Sequence, residues 1–123
     1  MRLALSTLGT PATPLADVAA LAGRYGLDGL ELRLHPDTGV HAGLDSAERA
    51  AVARTLGSLP AFCLSGYVRI CAPGPDRPVV DALRADLRLA HDLGAEFVRV
   101  FPGGGDPAAR GRPRAAGAPQ GPP

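Results

Sequence analysis

Short apolar segments recur along the chain, and longer stretches with helical periodicity separate them. Four of these segments are bounded by Gly, Pro or polar residues and are predicted to be strands; they span residues 3–6, 30–34, 61–65 and 97–101. In the three stretches between them, apolar residues recur with the spacing of one helix face. Strands and helices thus alternate, which predicts βαβ units with four parallel strands and three helices.

Capping signals predict where the first two helices begin. The first is expected to start with Thr13 as N-cap and Pro14 at the first helical position, where the missing N–H costs nothing. The second is expected to start near Asp45, because Glu48 three residues later completes a capping-box pattern.

The third helix carries the longest amphipathic pattern. It is predicted to start near Pro78 and to end at Gly94, which can adopt the left-handed conformation of a C-cap. The residues predicted to face inward are Val80, Leu83, Leu87 and Ala90.

Each predicted strand has one aliphatic face and one small or charged face. An open, doubly wound sheet is covered by helices on both faces and needs almost continuous apolar strands. A barrel with a polar lumen is consistent with alternation instead. The pattern therefore favours an α/β fold, the N-terminal half of a (β/α)8 TIM barrel. The apolar side chains, Phe62 among them, would face the helices. The predicted luminal residues are Glu31, Arg33, Ser65 and Arg99.

The end of the chain has a different composition. Residues 106–123 consist mainly of Pro, Ala, Gly and Arg, and the prolines would interrupt a helix. This tail is predicted to be disordered, which divides the chain into a half barrel at residues 1–105 and a tail at 106–123. The composition is typical both of a linker and of GC-rich DNA translated in the wrong frame, and the sequence leaves both origins open.

Charge and composition exclude several classes of function. The net charge is +1 and aromatic residues make up 4% of the chain, so no basic or stacking surface for nucleic acid or anionic lipid is expected. No apolar run approaches the length of a membrane span, and the N-terminus lacks the pattern of a secretory signal. We therefore expect a cytoplasmic protein that binds neither nucleic acid nor membranes.

Four segments resemble one known family. They are DGLELRLH (28–35), VHAGLDSAERAAV (40–52), SGYVRICAPG (65–74) and ALRADLRLAHDLGAEFVRVFPGG (82–104). Together they resemble the N-terminal half of bacterial sugar phosphate isomerase/epimerase proteins of the xylose-isomerase-like TIM barrel superfamily. The resemblance implies a (β/α)8 barrel, a divalent metal, and proton transfer on a sugar or sugar phosphate. Most metal ligands of such proteins lie on later strands, so the resemblance assigns no metal ligand to this chain.

The carboxyl ends of barrel strands form the active site in barrel enzymes. Glu31 is the first candidate catalytic residue, because a carboxylate in a lumen can act as a base or a metal ligand. The alternative is a structural ion pair with Arg33 or Arg99. His35 is the second candidate, and the alternative is a solvated loop histidine. The residues predicted to bind the substrate, by gripping a phosphate or carboxylate or covering a sugar ring, are Arg33, Tyr67, Arg69 and Arg99.

Three functions remain open from the sequence. The first is a truncated isomerase/epimerase-like protein that is inactive alone. The second is a half barrel that assembles with itself or another chain, since unpaired edge strands favour pairing and allow a homodimer. The third is a small non-enzymatic binding domain.

Overall fold

The computed structural model describes residues 1–103. Its strands are β1 (Ala4–Ser6), β2 (Gly29–Arg33), β3 (Ala61–Arg69) and β4 (Phe97–Phe101). Its helices are α1 (Leu15–Arg24), α2 (Ser46–Leu56) and α3 (Asp76–Leu93), and short 3-10 turns follow β1 and β2. The predicted tail at 106–123 and the last two residues of the predicted domain lie outside the described part of the chain.

The four strands are parallel and lie side by side in chain order. All three helices contribute to one core cluster with the strands, so they cover the same face of the sheet. A doubly wound sheet would carry helices on both faces. Four successive βα units with helices on one face are the arrangement of half a (β/α)8 barrel, which confirms the predicted fold class.

The aliphatic face of the sheet forms the centre of the core. Leu30, Leu32 and Leu64 are fully buried against Val18 of α1 and Leu89 of α3. Burying a side chain of this size stabilises the folded state by about 1.5–3 kcal/mol. The alternation in β2 therefore predicts the buried face correctly.

The helix starts match the prediction in one case and differ in another. Asp45 caps α2 as expected: its side chain accepts from the Glu48 amide at 2.8 Å, and Glu48 accepts in return from the Asp45 amide at 2.8 Å. At α1, however, Pro14 is the N-cap and not the first helical residue, with ψ of 141°. Proline fixes φ and leaves ψ free, so the extended ψ of Pro14 delays the helix to Leu15. No side-chain cap from Thr13 is formed.

The buried face of α3 differs from the predicted one, although Gly94 ends the helix in the left-handed conformation as expected. The helix starts at Asp76, earlier than predicted. Val80 and Leu87, both predicted to face inward, are 40% and 49% exposed. Of the other two residues predicted to face inward, Ala90 is buried and Leu83 is half-buried. The buried residues are Asp86, Leu89, Ala90 and Leu93.

A register shift between β2 and β3 moves one aromatic residue to an unexpected face. Leu30 pairs with Ala61 and Glu31 pairs with Cys63, so Phe62 is one extra residue in β3. Such a bulge reverses the facing of the residues next to it. Phe62 was predicted to face the helices, but the extra residue turns its ring towards the concave face of the sheet.

The Phe62 ring closes the concave face at the N-terminal ends of the strands. A Cβ at Gly29 would lie 2.7 Å from Phe62 Cε2, so the strand needs a glycine there. The Arg2 guanidinium stacks 4.3 Å above the centre of the Phe62 ring. Arg2 Nη1 also donates to Glu96 Oε1 at 2.9 Å. We call Arg2, Phe62 and Glu96 the floor of the half barrel.

Candidate functional site

Strand register brings the predicted luminal residues to one face. Glu31 pairs with Cys63, Arg33 pairs with Ser65, and Ser65 pairs in turn with Arg99. Paired residues of neighbouring strands point to the same side of a sheet. These five side chains therefore line the concave face, opposite the leucine core. This confirms the predicted separation between a polar lumen and an aliphatic helix side.

Glu31 is held by a hydroxyl group and not by an arginine. Ser65 is buried, and its Oγ donates a hydrogen bond to Glu31 Oε1. Within residues 1–103, no ion pair joins Glu31 to Arg33 or Arg99, so the ion pair considered as the alternative role is not formed there. Glu31 keeps carboxylate lone pairs available on the concave face.

The Cys63 thiol lies in the same polar cluster. Burial raises the pKa of Cys63, and the negative charge of Glu31 raises it further. The Arg99 backbone and the Ser65 side chain act in the opposite direction but do not reverse the shift. The thiol is therefore neutral at pH 7, and a neutral thiol is a poor nucleophile.

Arg99 presents a buried donor without a partner. Its guanidinium lies 4.2 Å from the Phe101 ring centre and 5.7 Å from that of Tyr67. Its Nε is enclosed and has no hydrogen-bond partner among residues 1–103. A buried donor left unsatisfied costs roughly 1–3 kcal/mol, and more when it is charged. An acceptor that enters the concave face would remove this cost.

A chain of polar contacts runs along the rim next to Arg99. Arg33 Nε donates to the Tyr67 hydroxyl oxygen at 2.6 Å, and Arg33 Nη1 donates to Asp37 Oδ1 at 3.1 Å. Because the Tyr67 oxygen accepts from Arg33, its own O–H remains available as a donor. Burial alone would raise the pKa of Asp37, but hydrogen bonds from His35 and Arg33 outweigh it and lower that pKa.

The remaining two predicted site residues lie at the rim. His35 Nδ1 is 2.7 Å from Asp37 Oδ1, and the imidazole is half exposed. Arg69 lies beyond a second register shift, where it pairs with Phe101 and packs against the backbone at Gly103. No hydrogen bond within residues 1–103 joins either side chain to Glu31 or to Arg99. The structure thus brings together Arg33, Tyr67 and Arg99, and leaves Arg69 apart from them.

Two residues support the site in roles that the sequence did not assign to them. Thr7 is buried, and its Oγ1 accepts from the Arg33 amide at 2.8 Å, which fixes the end of β2. Asp37 anchors both Arg33 and His35. Its position four residues after Arg33 could have indicated the ion pair, but no sequence signal distinguishes Thr7 from its neighbours.

A buried acid lies on the other side of β3. Asp86 of α3 is 8% exposed, and its Oδ2 lies 2.7 Å from where a Cβ on Gly66 would be. Only glycine lets the carboxyl group approach the strand so closely. Burial raises the pKa of Asp86, and no charged neighbour offsets the shift. This residue supports β3 directly behind the luminal Ser65.

The described residues of the concave face do not by themselves supply a site for the divalent metal that the family resemblance implies. Within residues 1–103, no three His, Cys, Asp or Glu side chains come close enough to hold a metal ion. Next to Glu31 lie the Ser65 hydroxyl and the neutral Cys63 thiol, whereas hard divalent cations such as Mg²⁺ and Ca²⁺ take several oxygen ligands.

A groove elsewhere on the surface is separate from these residues. It encloses about 650 Å³ between α1, α2 and the loops before β2 and β3. It lies at the N-terminal ends of the strands, where barrel proteins place residues that serve stability. Its lining is mainly small side chains, including Ala16, Ala19, Ala20 and Gly23. In addition, none of the helices in the described residues is long and apolar enough to cross a bilayer.

Comparison with known proteins supports the fold. No family model matches the chain, and no curated protein matches it. A solved structure does match: AsbF from Bacillus anthracis, described as the probable 3-DHS dehydratase involved in petrobactin synthesis, with a TM-score of 0.57. The two sequences are 18% identical, and the match covers 82% of this chain and 38% of that chain. This chain thus spans well under half of the solved protein, and the likeness concerns the fold.

Proposed function

We propose that the concave face binds a sugar or sugar phosphate and that Glu31 transfers a proton on it, as in an isomerase or epimerase, once the barrel is complete. The observation that carries this proposal is the juxtaposition on one face of the Glu31 carboxylate, held by Ser65, and the unpartnered Arg99 Nε. The family resemblance supports the reaction class, and the shared barrel fold supports the position of the site.

In this proposal Glu31 acts as the base. Its carboxylate removes a proton from a carbon next to the substrate carbonyl, which leaves an enolate. Return of the proton to the former carbonyl carbon, with the hydroxyl proton of the first carbon moving to the former carbonyl oxygen, gives isomerisation. Return of the proton to the opposite face of the first carbon gives epimerisation. His35, oriented by Asp37, is the second candidate for proton return.

Three side chains are proposed to bind the charged end of the substrate. Arg99 offers its buried Nε–H, Tyr67 offers its free O–H, and Arg33 holds Tyr67 in place. A planar guanidinium can hold two oxygens of a carboxylate or phosphate at once. Arg69 is proposed as an outer contact at the rim.

Hydrogen exchange from solvent tests the catalytic proposal directly. The full chain is incubated in D2O with a panel of aldose and ketose phosphates, and NMR follows deuterium incorporation at carbon. We expect exchange with at least one panel member, and Glu31→Gln should reduce its rate roughly 100-fold or more. Asp81→Asn, which removes an exposed carboxylate from α3, is the matched control and should leave the rate unchanged.

The thermal melt separates catalysis from structure in the same variants. Glu31→Gln should melt close to the unchanged protein, because its amide still accepts from Ser65. A parallel loss of exchange and stability would instead assign Glu31 a structural role. If no panel member exchanges under conditions in which the barrel is complete, the proton-transfer proposal is wrong.

Anion binding is measured separately, with inorganic phosphate as the probe. Titration calorimetry should show weaker binding by about tenfold or more in Arg99→Gln, because the buried charged donor is lost. Arg88→Gln, an exposed arginine of α3, is the control. Phosphate binding without any solvent exchange would favour the non-enzymatic binding domain.

A further inference from the structure

The two outer strands of the sheet are much less covered than the inner ones. No residue of β1 or β4 is buried, whereas β2 buries Gly29, Leu30 and Leu32. Phe97 in β4 is 62% exposed, and Leu3 next to β1 is 52% exposed. Among residues 1–103, the outer edges of β1 and β4 have no neighbouring strand. Both edges therefore present N–H and C=O groups to which another strand can pair.

These two edges carry opposite charges at the same end. Arg2 precedes β1, and Glu96 immediately precedes β4. Within one copy the two side chains already meet across the floor, although β1 and β4 are not neighbours in the sheet. Both side chains remain about half exposed. An exposed ion pair of this kind contributes little, so it can be exchanged for the same pair between two molecules at small cost.

We propose that a second copy of this chain closes the barrel, with β4 of each copy paired to β1 of the other. The strands are parallel and lie in chain order, so a two-fold rotation about the barrel axis keeps every new neighbour parallel. The four strands that the structure describes in residues 1–103, taken from each copy, give a closed ring of eight without an open edge. Arg2 of each copy then lies beside Glu96 of the other at both joints.

Closure would also complete the concave site. Glu31 and Arg99 face the lumen, and the second copy supplies the wall opposite them. Water would be largely excluded, which strengthens the interaction of both charged groups with a substrate. The proposed dimer depends on the strand edges and on their charges. It can therefore be confirmed or refuted without reference to proton transfer by Glu31.

The mass of the full chain in solution is the first test. Sedimentation velocity over a range of concentrations should show the mass of two copies, in reversible equilibrium with one copy on dilution. A single-copy mass at every concentration would overturn the proposal. Masses that grow beyond two copies would mean open-ended strand pairing and would also overturn it.

Charge reversal shows whether the two edges meet as proposed. Arg2→Glu places two glutamates at each joint, and Glu96→Arg places two arginines there. Each variant alone should dissociate roughly tenfold more readily, or more, because like charges face each other. Mixing the two variants restores an arginine–glutamate pair at both joints, so the mixture should form pairs as tightly as the unchanged chain.

Recovery on mixing can arise only between copies, because each variant has lost its internal Arg2–Glu96 pair. A mixture that associates no better than the separate variants would refute the proposed joints. Arg77→Glu reverses a highly exposed charge on α3 and should leave association unchanged. Circular dichroism of each variant checks the fold, and the mass of the unchanged chain decides the question if a variant does not fold.

Discussion

An ionisable group lies on each side of strand β3, and burial favours the neutral form of both. Cys63 lies on the concave face beside Glu31, and Asp86 lies behind the strand against Gly66. Burial raises the pKa of each. Because the carboxylate of Asp86 has no cationic partner within the described residues, its charge at neutral pH destabilises the folded state.

Asp86→Asn should therefore stabilise the protein at neutral pH. A folded-state pKa above the unfolded one means that the native chain binds more protons, so stability falls as the pH rises through the raised pKa. Asparagine keeps the shape and removes this dependence. We expect a melting temperature higher by roughly 4 °C or more at pH 7, which corresponds to about 1 kcal/mol in a small domain.

The pH series provides the check on this sign. The advantage of Asp86→Asn should shrink as the pH falls towards the range where an ordinary aspartate protonates. Asp81→Asn, at an exposed position on the same helix, should leave the melting temperature unchanged at neutral and at acidic pH. An advantage for Asp86→Asn that is equally large in acid would contradict the role assigned to the buried charge.

The two cysteines should differ in reactivity. Cys71 is exposed, whereas Cys63 is partly buried and its pKa is raised. Since only the thiolate reacts with a disulfide reagent, we expect fast labelling of Cys71 at pH 8 and slow labelling of Cys63. Cys71→Ser should remove the fast phase, and Cys63→Ser should leave it in place. Equal rates at both positions would show that the concave face is open to reagent and that the Cys63 pKa is ordinary.

At the scale of elements, local sequence signals predict the features that depend only on residues close in the chain, such as helix caps. The capping box at Asp45 and Glu48 is local, and the structure forms it as predicted. The inward face of α3 is not local, because it depends on which side of the helix packs against the sheet. The side of the sheet that Phe62 faces depends on the register shift between β2 and β3, which leaves one extra residue in β3. The sequence of β3 alone does not show this shift, because it is defined by the pairing with β2.

Replacing each of two glycines by alanine tests the difference between a position fixed by the paired strand and a position within a helix. Gly29→Ala should destabilise the protein by about 1–3 kcal/mol, because its Cβ would lie 2.7 Å from both the Phe62 ring and the Pro60 carbonyl oxygen. Gly23→Ala in α1 meets nothing within 4 Å and should stabilise the helix by roughly 0.5–1 kcal/mol. Thermal or denaturant unfolding measures both. A neutral Gly29→Ala would mean that Phe62 does not occupy the floor.

At the scale of the whole molecule, the alternation of side chains predicts the concave site better than it predicts contacts within it. Glu31, Arg33 and Arg99 share a face because the strands are parallel and in register, and this could be inferred from the sequence. That Ser65 and not an arginine holds Glu31 depends on side-chain geometry across two strands. Arg69 departs from the group because β3 contains extra residues after Ser65.

The strands also differ in how far they are buried and paired, and hydrogen exchange of their backbone amides can measure this difference. Residues of β2 are buried between two strands, whereas β1 and β4 each have one open edge in the described part of the chain. In a parallel strand, successive amides point to alternate sides. In dilute solution we expect slow exchange throughout β2, and fast exchange at the amides of β1 and β4 that point away from the sheet.

Concentration then distinguishes an open sheet from a closed pair of copies. If β4 of one copy pairs with β1 of another, the outward amides of both strands should become protected as the concentration rises, while those of β2 stay unchanged. Mass spectrometry of peptides covering the two edge strands would follow this change. Protection at β1 and β4 that is the same at every concentration would place the missing neighbours within a single chain, and the Arg2→Glu variant should then exchange like the unchanged protein.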